Sequence, residues 1–541
     1  ALARLLARRF AGGEPKPAPA LSVGRPAGVI RTPLHAFYCT GLSNPDFPLT
    51  VNGKTVSTRS ESGYFGVLLP LKAGKNRFVF ENAGMQESRV IYCLPRLLPF
   101  SGQYPAAETR MPPQSLTLSC AAPRGSRVSA WVGDTAVALT DAGGGHYSSP
   151  WPAGLKAAGR PVLYTAEKHG FVRVAYSRGA LSLLEEGESI PFAVQTPYSD
   201  LFLSTQPQNG AGGFLQQGMT GTAPGLDNGF LALPGMGYLR LSDARLLPPD
   251  EAPLFDLTDI SQSEEDGFHL VRFSCRGAPA AACRMEGNRL ILSVRPVRLA
   301  YRFESPLFSD VSLAQDGQTA LYTLTLRDSL QIDGFHLSAE ADGFSLHLKQ
   351  HPAAQGGLPL SGLHILLDAG HGGQASGALG ADAEWPEKRL NLKTALLLQK
   401  ALRQAGADVT LTRGDDSSLP LRERLLTACT GSFDAFLSLH SDSAADDVDV
   451  SPLHGVQLHC KSALSAPLAQ CIAEQLAAVG RETSLVSDSG LYLCRAESTL
   501  SLLIENEYIS SPFGLETLLS DIEREAFCAA VVKGLSEYFS R

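Results

Sequence analysis

Up to about residue 350 the apolar residues recur mostly at alternate positions, in short runs punctuated by glycine, asparagine and proline, and this period of two predicts strands. In 32–98, VNGKTV carries the Asn52-Gly53 pair of a tight hairpin, GYFGVLLPL reads as a buried strand, and KAGKNRFVFEN turns into an alternating one, which together predict a small β sandwich. A second β module is expected over 110–185, where RVSAWVGDTAVALT predicts a hairpin at Gly133-Asp134. Residues 186–350 open on the irregular QNGAGGFLQQGMTG and end on FHLVRFSC, RLILSVRPVRL, TALYTLTLRD and FSLHLKQ, so they predict an accessory β domain.

After a Gly/Pro-rich linker at 351–360 the period changes. LHILLDAG predicts a strand, EKRLNLKTALLLQKALRQAG a helix with apolar positions at 390, 397, 398 and 402 and a stop at Gly406, and DVTLT a strand. The alternation continues with a helix through RERLLTAC, strands FDAFLSLH and GVQLHC, the helix SAPLAQCIAEQLAAVG, strands LYLC and SLLIE, and a long final helix. The expected fold is therefore multidomain: all-β accessory domains, then a C-terminal α/β domain with a largely parallel sheet at 361–541.

Composition narrows the picture. The chain has 541 residues, 44% of them hydrophobic and 18% charged, enough for several cores. No apolar run reaches the roughly 18–20 residues of a membrane-spanning helix. A net charge of −8 without a basic block argues against nucleic acid as a partner. Residues 1–31 lack the apolar core of a signal peptide and are Pro/Ala-rich, and are expected to be a linker or processed N-terminus. The ten cysteines include no CxxC pair, and Cys39 and Cys93 read more readily as two buried thiols than as a disulfide.

Ligand sites of open α/β sheets lie beyond the carboxyl ends of the strands. His371 follows LHILLD, His440 ends FDAFLSLH, Glu505 ends SLLIE, and Glu387 opens a helix after Pro386. Two neutral imidazoles and a carboxylate with a fourth position open make a catalytic zinc site, and a further carboxylate can move a proton from water to a leaving amine.

DAGHGG, Glu387-Lys388 followed by Asn391-Leu392, LTR at 411–413, Leu421 through Arg424, SLHSDSA and LLIENEYIS, in this order over about 180 residues, resemble the zinc-dependent N-acetylmuramoyl-L-alanine amidases of bacterial cell walls. The resemblance implies one zinc ion held by His371, Glu387 and His440, with Glu505 as catalytic acid/base. It implies cleavage of the bond between N-acetylmuramic acid and the L-alanine of the stem peptide, peptidoglycan as partner, and an extracytoplasmic location in the cell wall or secreted. It leaves any activator protein unknown. The 32–98 module is similar in turn spacing to immunoglobulin-like modules that accompany wall-active enzymes, and 186–350 is similar in position to wall-targeting domains. The sequence departs from the family at Asp442, Glu507 and Ala375, where Asn, Gly and an acid are usual. In a regular strand Glu505 and Glu507 share a face, which would put two carboxylates at the site unless Glu507 faces water beyond the strand end.

Two other readings stand beside this one: a catalytically weak peptidoglycan-binding protein, and a zinc carboxypeptidase. Glu384 competes with Glu387 as third ligand. Asp368 is expected either to orient His371 or to close its strand, and Arg413 and Arg424 to hold loops and helices rather than substrate. His364, His454 and His459 are read as structural. The acidic loop 446–450 is read as solvated, against the alternative of a flap reaching the metal.

Overall fold

The computed structural model describes residues 21–94, 100–157, 159–185, 187–205, 211–352, 356–380 and 385–541. Residues 1–20 of the expected N-terminal linker, 353–355 of the second linker, and Glu384 lie outside them.

The N-terminal part is built of strands. Residues 21–94 form a three-stranded sheet, in the order 22–25, 36–42, 64–70, and a five-stranded sheet, in the order 30–32, 85–93, 74–82, 49–51, 54–55. Both bury one face in a shared core of Val23, Phe37, Cys39, Phe65, Phe80 and Ile91. Asn52 (φ 48°) and Gly53 (φ 77°) make the left-handed corner that their hairpin needs. Residues 22–25 and 30–31, read above as linker, lie in the strands 22–25 and 30–32, because Leu21 and Val23 fill that core. Cys39 and Cys93 are buried and unlinked. A twelve-stranded sheet with 117–121 and 211–216 as its edge strands takes its strands from 109–111 to 237–240 of the chain and so crosses the boundary expected at 185. The region also holds a three-stranded sheet of 220–223, 190–194 and 244–246, a two-stranded one of 255–256 and 297–299, and two four-stranded antiparallel sheets: 259–265, 268–274, 343–350 and 332–340, and 280–286, 289–295, 319–326 and 308–316.

The C-terminal part holds a six-stranded mixed sheet. Its strands are β1 (His364–Ala369), β2 (Asp408–Leu411), β3 (Ala435–Asp442), β4 (Val456–His459), β5 (Thr483–Val486) and β6 (Leu500–Tyr508), in the order β2-β1-β3-β6-β4-β5. β4 runs antiparallel to β6, and the other pairings are parallel. The helices are α1 (Glu387–Gln404), α2 (Leu421–Thr430), α3 (Ala466–Ala478), α4 (Pro512–Leu519) and α5 (Asp521–Phe539). The expected single final helix is two, because Ser520 breaks it and caps α5 by accepting from Glu523 N. LYLC, expected as a strand, is a 3-10 turn at Tyr492–Arg495.

Alternation along the central strands decides what covers each face. Ile365, Leu367, Leu437, Leu439, Leu502 and Ile504 pack with residues of α1, α3 and α5. Leu366, Phe436 and Leu503 face α2, the 492–495 turn, and Tyr198 and Phe214 of the accessory region. The second face is thus closed partly by another part of the chain, and the α/β unit shares its core with its neighbour. Across the same seam Asp200 and Arg495, 8% and 3% exposed at their side chains, pair at 3.1 Å.

Candidate metal centre

β1, β3 and β6 run parallel and deliver their carboxyl ends to one edge of the sheet. His371 lies two residues beyond β1, in a turn that its own φ of 63° makes left-handed. Gly370 is required there, since a Cβ would stand 2.4 Å from His440 Nε2. Two buried guanidiniums hold the turn from beneath. Arg413 donates to Ala369 O (2.7 Å) and Gly370 O (2.9 Å), and Arg424 to Ala369 O (2.7 Å) and His371 O (2.5 Å). Asp368, fully buried, accepts from Arg424 (2.5 Å), Thr412 (2.5 Å) and Ser438 (2.6 Å). It reaches His371 only through Arg424 and the backbone, which is neither of the two roles expected for it.

Glu387 is the first residue of α1, where the helix dipole favours a negative charge. Its Oε2 lies 3.1 Å from His371 Nε2, and its Oε1 lies 3.0 Å from His440 Nδ1. It also accepts from Ala378 N (2.8 Å), Ser441 N (3.1 Å) and Asn391 Nδ2 (3.1 Å). Burial alone would raise its proton affinity, but the bonds and charges of the two histidines prevail and hold the carboxyl well below the usual range. The ligand atoms of His371, Glu387 and His440 all lie within 4.8 Å of one another, and His440 Nε2 is buried with no hydrogen-bond partner. Two imidazoles and a carboxylate gathered around an unsatisfied nitrogen fit a divalent cation.

Glu505 pairs in register with His440 across β3 and β6. Its Oε2 is buried without a partner, and burial, reinforced by the charges of Glu387 and Asp442, pushes its carboxyl up to about 8. Glu507 does not join it. Between His440↔Glu505 and Asp442↔Tyr508 the strand β6 takes one extra residue, and Glu507 has φ 124°. The bulge breaks the alternation that would have aligned the two carboxylates. Glu507 is buried, accepts from Gly455 N at 2.7 Å and pairs with Arg481 at 3.3 Å, so it neither shares the site nor faces water. A positive φ is the backbone state glycine adopts freely, which explains the family's usual residue at this position.

His364 and His454 are exposed, and His459 contacts Ser489 Oγ at 3.4 Å; none approaches the cluster of three. Asn391 was quoted in the motif without a role. One helical turn past Glu387, it bonds Glu387 and lies 3.4 Å from Gly370 O, a spacing of four that the sequence displays. Arg481 carried no sequence signal.

Residues 365–537 match the N-acetylmuramoyl-L-alanine amidase family. The chain is 33% identical over 184 residues to a probable cell wall amidase, LytH, of Staphylococcus epidermidis, covering 34% of this chain and 60% of that protein. It is 29% identical over 201 residues to an uncharacterized Bacillus subtilis protein, YqiI, covering 36% of this chain and 94% of that one. The chain thus spans less than two thirds of the LytH relatives. Among solved structures, the CwlD amidase of Clostridioides difficile, in complex with the GerS lipoprotein, is 30% identical, covers 33% of this chain and 98% of its own, and has a TM-score of 0.30. No helix among the described residues is long and apolar enough to cross a membrane.

Proposed function

We propose that the chain is a peptidoglycan hydrolase, an N-acetylmuramoyl-L-alanine amidase, with one zinc ion held by His371, Glu387 and His440 and with Glu505 as acid/base. The observation that carries it is the gathering of these three ligand atoms within 4.8 Å, at the sheet edge where Glu505 stands in register with His440. The match over 365–537 supports the choice of substrate. Zinc at that place would supply Lewis acidity, polarising the scissile carbonyl and lowering the pKa of water toward roughly 7.

The rest of the chemistry belongs to the side chains. Glu505 Oε2, having no partner of its own, is free to take a proton from the attacking water and to return it to the leaving alanine nitrogen. Arg413 and Arg424 fix the His371 turn through its carbonyls, and Asn391 fixes Glu387, so the donors are held before any ligand arrives. An extracytoplasmic place at the cell wall, an immunoglobulin-like role for 32–98, and a wall-targeting role for 186–350 belong to the same reading.

The test uses the full chain, because the α/β unit shares its core and a buried ion pair with the accessory region. Purified peptidoglycan is digested with zinc, and the products are read by mass spectrometry beside the Glu505→Gln variant. Stem peptides with a free N-terminal alanine, lost in the variant, are expected. Release of single amino acids from peptide ends instead would favour the carboxypeptidase reading, and zinc binding without turnover the binding-protein reading.

A further inference from the structure

The acidic loop 443–455 leaves β3 three residues after His440 and returns to β4 at Gly455. Its first root adjoins the candidate site through Asp442, whose charge acts on Glu505; Asp442 also accepts from Gln457 Nε2 at 2.9 Å and from Ile509 N at 2.9 Å, and at the second root Gly455 N donates to Glu507. Its middle is held by a distant part of the sequence. Tyr38 N donates to Asp446 O at 2.5 Å, Tyr38 Oη lies 2.8 Å from Ser451 Oγ, and Arg25 pairs with the Asp446 carboxylate.

The N-terminal sheet is shaped for this contact. Strand 22–25 pairs with strand 36–42 only as far as Thr40, so the edge before Thr40 is left for another segment, and the loop takes it at Tyr38. The same module also reaches the elements on the other side of the candidate site. Tyr64 is buried with Leu390, one turn from Glu387, and with Ile509, Leu515 and Leu518 at the end of β6 and on α4. Ser62 bonds Glu516 of α4. One β module therefore grips both the loop after His440 and the helix after Glu505. The contact also directs the Asp446 carboxylate to Arg25 rather than to the three candidate ligands, contrary to a flap whose Asp446 reaches the metal.

We propose that residues 21–94 form a wall of the catalytic cleft, and that Arg25 and Tyr38 are positioning residues that hold the 443–455 loop in the shape that receives polymeric substrate. This inference rests on the amidase reading. Without the clasp the loop keeps its roots, its internal bonds and the buried Val450 but loses its polar ties to the N-terminal module, and substrate binding must restore the order those ties supply. The triad of His371, Glu387 and His440 has its own bonds and is untouched, so the loss falls on KM rather than kcat.

The test is the full-length Arg25→Ala/Tyr38→Phe variant beside Arg25→Lys, with three readouts. These are KM and kcat for stem-peptide release from sacculi, zinc bound per chain, and cleavage within 443–455 by an aspartate-selective protease. The double variant is expected to raise KM about fivefold with kcat within about twofold, as for lost loop ordering. Zinc content should be unchanged and loop cleavage faster, and Arg25→Lys, which keeps the charge, should recover most of both effects. Unchanged loop cleavage overturns the clasp, and faster cleavage with unchanged KM overturns its role in substrate binding. Loss of zinc together with kcat would mark Arg25 and Tyr38 as merely structural. If the wild-type chain releases no stem peptides, the amidase reading and the substrate role fall together, while the clasp is still judged by cleavage.

Discussion

Asp200 belongs to the accessory region and Arg495 to the amidase-family segment, yet they form one buried ion pair at 3.1 Å, and Tyr492 Oη donates to the same carboxylate at 2.9 Å. Asp200→Ala leaves the guanidinium buried with what remains: Gly213 O at 3.2 Å and the ring faces of Phe214 and Tyr492, 4.7 and 5.0 Å away. Breaking one side of a buried pair costs about 3–5 kcal/mol, and the two cation–π contacts, present with and without Asp200, cancel from the difference. The net expectation is therefore a loss of about 3–5 kcal/mol. Arg495→Met/Asp200→Leu removes both charges and fills the space, and should be less destabilised than Asp200→Ala. Urea unfolding, with hydrogen exchange of the peptides around 492–503 to place the effect, measures both. A loss below about 1 kcal/mol for Asp200→Ala, or a double variant as unstable as the sum of its singles, would refute the view that this pair joins the two parts.

Three further outcomes are expected. Because the carboxyl of Glu505 is raised from 4.5 to about 8 when folded, the native chain without metal holds a proton there that the unfolded chain releases between these values. The contribution of Glu505 to stability is thus fully present below pH 4.5 and is lost as pH rises through 8; at about 1.4 kcal/mol per unit the full shift is worth roughly 5 kcal/mol, an upper bound. Glu505→Gln in EDTA should flatten that slope in denaturation at pH 5 and pH 9, and equal slopes would contradict it. Gly370→Ala drives a methyl into the His440 ring and should weaken zinc at least about tenfold in chelator competition while the fold survives, as circular dichroism would show. Glu507→Ala removes the acceptor of Gly455 N and the partner of Arg481 while keeping the Cβ at φ 124°, and should cost about 2–4 kcal/mol in urea unfolding; a cost near zero would contradict a stabilising role for these contacts.

What the sequence determined by itself is what is local. The change of hydrophobic period near residue 360, the left-handed Asn52-Gly53 corner, the helix opening at Glu387 after Pro386, and the strands that carry Asp368 and His440 all arise from residues within a few positions of one another. His371, Glu387, His440 and Glu505 could be picked out as candidates for the same reason, since each lies on or beside an element that its own segment announces. Only the tertiary structure decided where Glu507 points, because a bulge is set by the register of β6 against β3 and not by either strand alone. It also turned Asp368 toward Arg424, made LYLC a 3-10 turn against Asp200, and drew residues 22–25 out of the expected linker. Arg25 and Tyr38 reach Asp446 across more than four hundred positions, and such contacts follow from how whole sheets pack, which no short window of sequence encodes.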